Sequence, residues 1–334
     1  MNSASPTRPT DHKRRVGSLE VLLFSLIALA VSAGAMSAFV AGDPRLSTAA
    51  TVFCGVFVQA LPFLVLGVVV SGLIAAYVNA ERLSRWLPTR PALAVVLAGV
   101  GGAALPGCEC GSVPVARRLF GPGTNGAAAL TFMLSAPAIN PVVLVATAVA
   151  FPGQPALVLA RCLASLATAV VMGMLWSRFG RDEWVTRDLP EPPAEGSSRW
   201  TVFTEAARHD FLQAASYLVV GAAAAAAMRV LVPAWVFEHL AGNLIIGVVT
   251  MGLLAVVLAL CSEADAFVAA SLTMLPLVPR LVFLVVGPAF DVKLAAMQAG
   301  MFGRQFAVRF GPVTFVVATV IATFVGLALL GGGA

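Results

Sequence analysis

The sequence predicts an all-α polytopic membrane protein made of two inverted-topology repeats with broken or re-entrant helices, plus an extra N-terminal helix. Three observations lead there. Of the 334 residues, 59% are hydrophobic and only 11% charged, where a soluble chain carries about 25% charged residues. Apolar runs long enough to cross a hydrocarbon core of ~30 Å recur along the chain. A polar stretch, "PGCECGSVPVARR" (Pro106–Arg118), interrupts them, and a related one, "LCSEADAF" (Leu260–Phe267), does so again later. The net charge of +5 needs no nucleic-acid partner, because basic residues collect in cytoplasmic loops during insertion.

Residues 1–17 read as a cytoplasmic tail ending in Lys13, Arg14 and Arg15, which place the N-terminus inside. The apolar run that follows exceeds a signal-peptide core, so 18–47 reads as a retained extra helix with its span at 21–41. Residues 48–178 make the first membrane repeat: a span at 48–78, a basic loop with Arg82, Arg85 and Arg90, the broken segment 91–124, a span at 125–151 interrupted by "APAINP", and a return at 156–177. Residues 179–210 read as a cytoplasmic linker, rich in Pro, Glu and Ser through "DLPEPPAEGSSR". Residues 211–334 make the second repeat, with spans at 211–231, 281–303 and 310–331 around the broken segment 240–280. Arg304 and Arg309 mark a further inside loop.

The repeat shows as three ordered matches. "FVQALPFLVLG" from Phe57 returns as "FLQAASYLVVG" from Phe211, 154 residues on (57 to 211). "CECGSVPVA" from Cys108 returns as "CSEADAFVA" from Cys261, 153 on (108 to 261). Asn140 of "APAINP" matches Asp291 of "GPAFDV", 151 on (140 to 291). The basic loops orient the two opening spans oppositely, the inverted-repeat plan in which discontinuous helices flank a midplane site. That plan requires each broken segment to enter and leave on one side.

The breaks carry the candidate chemistry. Irregular backbone at membrane depth survives only where it lines a cavity or is buried in protein. Pro106, Gly107 and Gly111 break the first segment, and Pro114 is expected in the first turn of its second half; Pro137 and Pro141 open the helix around Asn140. Cys108, Cys110 and Cys261 are soft thiol ligands if the segments meet. With Glu109, Ser262 and Asn140 they form the expected substrate-binding set. Glu263, Asp265 and Asp291 are costly intramembrane acids and the candidates for proton coupling. Asp291 is also placed to pair with Lys293. Arg117 and Arg118 read as membrane-edge anchors, and Arg161 and Arg229 as snorkelling side chains. Gln59 and Gln213 suit interhelical hydrogen bonds, Cys54 and Cys162 read as packing, and His209 and His239 as peripheral. No catalytic residue, metal site or cofactor is assigned.

"PGCECGSVPVARRL", with "AAALTFMLSAPAINPVVLVAT" and "CSEADAFVAASL", resembles the predicted-permease family that includes the organoarsenical efflux permease ArsP. The likeness spans about residues 50–330. It implies a bacterial inner-membrane permease exporting trivalent organoarsenicals, and in other members a separate partner subunit. Cys108, Cys110 and Gly111 reproduce the family's Cys-x-Cys-Gly core, whereas Glu109, Glu263 and Asp265 read as local departures. The expected partners are membrane lipid, a small-molecule or ion substrate, and a second permease subunit or further copies of the chain. No Walker motif is present, which leaves a gradient as the energy source. A channel-like or heteromeric subunit for a metal ion or other small solute is the alternative. A thiol enzyme would need a base near Cys108, and the three histidines are distant along the chain.

Overall fold

The computed structural model describes residues 43–77, 90–104, 109–120, 126–185, 198–231, 244–273 and 275–331. Among them are twelve α-helices and no strand. The first half holds α1 (Pro44–Tyr77), α2 (Pro91–Gly101, ending in a 3-10 turn), α3 (Glu109–Leu119), α4 (Gly126–Ile139), α5 (Pro141–Ala150) and α6 (Pro155–Phe179). The second holds α7 (Arg199–Leu231), α8 (Leu244–Leu258), α9 (Ser262–Ser271), α10 (Leu277–Ala289), α11 (Val292–Met301) and α12 (Arg304–Leu330). The order of lengths returns: 34, 11, 11, 14, 10 and 25 residues, then 33, 15, 10, 13, 10 and 27.

Length decides what each helix does. At 1.5 Å per residue, α2, α3 and α9 reach only about 15–17 Å and α8 about 22 Å, short of a ~30 Å core. Among the described residues six stretches are long and apolar enough to cross: α1, α4 with α5, α6, most of α7, α10 with α11, and α12. The chain is a multi-pass membrane protein. The α10–α11 stretch is the most enclosed, 78% buried against 22% for α12 and 28% for α1. The interrupted spans therefore sit at the centre and the continuous outer ones present apolar side chains outward.

The halves interlock through their short helices. The half-helix α3 packs on α11 of the other half, and α9 packs on α5; α6 lies on α12 and α4 on α10. Without water expulsion to drive it, such association depends on close van der Waals fit. A Cβ on Gly67 would lie 2.3 Å from the Gly111 Cα, so α1 meets α3 backbone to backbone. Gly221, 154 residues on, lets α7 meet α11 just as closely, since a Cβ there would lie 2.8 Å from the Lys293 Cα.

Four expectations change. The span expected at 281–303 is two helices, because Phe290 is extended and Asp291 starts a new helix. Arg304 and Arg309 lie on α12 and not on a loop, since Gly303 (φ +111°) turns the chain at once. The expected linker 179–210 is helical from Arg199 on, where its Pro and Gly residues have ended. Helix α1 begins at Pro44, with Asp43 Oδ1 accepting from Arg45 N at 2.8 Å; the expected extra helix otherwise lies outside the described residues.

Candidate functional site

Four helix starts build the centre. After Pro137, α4 stops and Asn140 turns extended (φ −67°, ψ 154°) to cap α5, with Pro141 at the first helical position. Asn140 Oδ1 accepts from Val143 N at 3.0 Å and its Nδ2 donates to Ala136 O at 3.0 Å. Asp291 does the same for α11, its Oδ1 accepting from Leu294 N at 2.5 Å. Each cap satisfies an amide orphaned by the break. The two remaining starts are those of α3, at Glu109, and α9, at Ser262 with Cys261 as its cap residue. Before α9 the chain passes through Ala259 at φ +46°, the one non-glycine residue with positive φ among those described. A residue held there is strained, and its carbonyl accepts from Lys293 Nζ at 3.4 Å.

Lys293 is fully buried in the first turn of α11. A cation there opposes the helix dipole, so acids must hold it. Its ammonium pairs with the Glu109 carboxylate from the other half and lies 3.8 Å from Asp291 Oδ2. The thiols of Cys110 and Cys261 are within its electrostatic reach, and both are buried and outside any disulfide. Ser112 fixes α3 beside α4 by donating to Met133 O at 3.1 Å.

A second buried cation closes the other side. Arg161, on α6, donates to Thr147 Oγ1 of α5 at 2.6 Å and to Ser262 O of α9 at 2.8 Å. Glu263 and Asp265 feel its charge but make no ion pair within 4.0 Å among the described residues. Both Glu263 carboxylate oxygens, Asp265 Oδ2 and Ser262 Oγ are buried without a hydrogen-bond partner. Asp265 fits because Gly287 faces it; a Cβ there would lie 2.5 Å from Asp265 Oδ2. These acids occupy the first turn of α9, where the helix dipole favours them. The arrangement joins soft thiols, carboxylates with unfilled acceptors, and two fixed cations. Thiols suit a soft centre and carboxylates with unfilled acceptors suit a proton or a cation. Among the described residues no three His, Cys, Asp or Glu side chains are grouped to hold a metal ion.

The structure thus brings Glu109, Cys110, Cys261 and Asp291 around Lys293, and Ser262, Glu263 and Asp265 near Arg161. Asn140 is a buried helix cap. Cys108, Pro106 and Gly107 lie outside the described residues, as do His239 and the Arg229 side chain. Gly111 and Pro114, expected at the break, are both inside α3; Pro114 is its sixth residue and not in its first turn. Arg161 does not snorkel, because polar groups on α5 and α9 hold it inside the protein. Arg117 is no edge anchor either: it is 4% exposed and donates to Gln213 Oε1 and toward Met301 Sδ. Arg118 pairs with Asp210 at 3.0 Å, and Ser71 donates to the same carboxylate at 2.6 Å. Gln59 is exposed, whereas Gln213 is half-buried. The sequence reading missed the central roles of Lys293 and Arg161. One signal was available, since Lys293 is one of only two lysines and the other, Lys13, lies in the polar tail.

Residues 45–327 match a family described as predicted permease. The chain is 33% identical over 280 residues to YcgR of Bacillus subtilis, covering 81% of this chain and 94% of that protein. It is 29% identical over 284 residues to a Streptococcus mutans protein named as a candidate subunit of a two-component membrane permease complex, covering 83% and 94%. No solved structure matches.

Proposed function

The chain belongs to the predicted-permease family and is a membrane transport protein, not an enzyme; from that premise we propose a secondary-active exporter of a trivalent organoarsenical or similar soft, thiophilic solute. It works in the bacterial cytoplasmic membrane with its N-terminus inside and couples export to protons. The observation that carries this reading is the buried Lys293–Glu109 pair where the two halves interlock, with the buried Cys110 and Cys261 within electrostatic reach of its ammonium. Cysteine sulfur is a soft ligand suited to trivalent centres of this kind. Cys108, two residues before Cys110, is assigned to the same substrate set on its motif. Glu263, Asp265 and Asp291 serve as the proton-carrying acids, since buried acceptors without donors are suited to taking up a proton. The halves act as inverted repeats that rock around this site.

The test is methylarsenite accumulation in cells lacking their own arsenic exporters. The wild-type chain should lower accumulation, and an uncoupler should abolish the effect. Cys108→Ser and Cys261→Ser should abolish export at normal expression; Glu263→Gln should remove the uncoupler-sensitive part. A well-expressed wild type that changes nothing removes the arsenical assignment. A second reading, a subunit of a heteromeric permease for a metal ion or other small solute, draws on the name of the Streptococcus mutans relative. It is favoured if export appears only when a second membrane protein is co-expressed.

A further inference from the structure

Around Lys293 Nζ stand three oxygens from three places in the chain. They are a Glu109 carboxylate oxygen, Asp291 Oδ2 at 3.8 Å and the strained Ala259 carbonyl at 3.4 Å. Oxygens of this kind, two carboxylates and a carbonyl, are what a hard cation seeks. The group occupying their centre is the chain's own ammonium, fully buried.

The other half of the molecule offers the comparison. At the repeat spacings of 151 and 153, Lys293 corresponds to Val142 and Glu109 to Ser262. Val142 is 47% exposed and the Ser262 hydroxyl is buried without a partner. The acids of that side, Glu263 and Asp265, have no cation in ion-pair contact among the described residues. One junction therefore holds its cation against carboxylates, whereas at the other Arg161 is held by Thr147 and the Ser262 carbonyl and leaves Glu263 and Asp265 outside ion-pair contact.

We propose that Lys293 is a tethered cation filling a three-oxygen cation site between the halves, and that it determines specificity by barring a free monovalent cation from Glu109 and Asp291. The inference rests on reading this junction as part of the transport site. Glu263 and Asp265 at the other junction then remain open to a free cation, while Asp291 keeps only its proton-carrying role. Exchange of the ammonium for a free cation would need it to leave Glu109, which also releases the contact between α3 and α11.

The experiment uses the purified full-length chain in detergent and reads thermal unfolding in NaCl or KCl against choline chloride at equal ionic strength. The wild type should show no cation-dependent shift. Lys293→Met should gain one, a rise of about 3 °C or more at a tenfold excess over the dissociation constant. The double variant Lys293→Met with Glu109→Gln should lose it again, because the oxygen set has lost a charge. No shift in a folded Lys293→Met, an equal shift in the wild type, or an equal shift in the double variant each overturns the proposal. If Lys293→Met does not fold, amine labelling decides. Lys13 is the only other lysine and serves as the internal control. Lys293 should be protected in the wild type and labelled several-fold more in Glu109→Gln; equal protection overturns the proposal. Neither readout uses an arsenical, so failure here and failure of the exporter reading are separable.

Discussion

Removing the Thr147 hydroxyl tests whether Arg161 holds the centre together. Arg161 Nη1 donates to Thr147 Oγ1 at 2.6 Å, while that hydroxyl donates to Val143 O at 2.7 Å. The hydroxyl is polarised in the sense that strengthens its acceptor side. Hydrogen bonds to charged groups are worth about 1.5–3 kcal/mol. Neutral polar contacts between membrane helices average about 0.6 kcal/mol and reach about 1.7. A charged bond this short and dry should exceed the average, so a double-mutant cycle of Thr147→Val and Arg161→Met should give a coupling of about 1.5 kcal/mol. Thr147→Val alone should remain folded, because the bond from Arg161 to Ser262 O at 2.8 Å is untouched. The assay is equilibrium unfolding in mixed detergent micelles, followed by tryptophan fluorescence. Trp176, whose ring centroid lies 5.4 Å from that of Phe306 and 6.0 Å from that of Phe310, reports on the packed state. A coupling below about 0.5 kcal/mol would refute the reasoning, since it would put a charge-assisted bond under the neutral average.

Two further outcomes follow from the caps and the close helix contact. Asn140→Ala and Asp291→Ala should each cost about 1 kcal/mol for the lost cap, but Asp291→Ala should cost more in the same unfolding assay, because it also strips a carboxylate from Lys293; equal losses would show that the ammonium does not depend on Asp291. Gly67→Val should separate α1 from α3 at Gly111 and lower thermal stability or expression, whereas Gly55→Ala, in open space on the same helix, should change neither.

The sequence by itself located the long apolar spans and most of their interruptions. Apolar length and the breakers Pro and Gly are local quantities, so the long spans, the break before α9 at Cys261 and the interruption at Asn140 are read from one segment at a time. The candidate acids and thiols were visible for the same reason, as polar residues in apolar runs. The division of 281–303 into α10 and α11 was foreshadowed by the match of Asp291 to Asn140, yet its apolar continuity concealed it. What only the tertiary structure decided is partnership. Arg161 and Arg117 each stand in apolar surroundings where a lone cation is expected to reach for the membrane surface. Each is instead satisfied by groups on other helices: Arg161 by Ser262, 101 residues away, and Arg117 by Gln213, 96 away. Lys293 reads as the neighbour of Asp291 in sequence, but its principal partner is Glu109 in the opposite half. A buried charge must be neutralised by whatever packing brings to it, and the interlocking of α3 with α11 and α9 with α5 is a property of the assembled halves that neither broken segment contains alone.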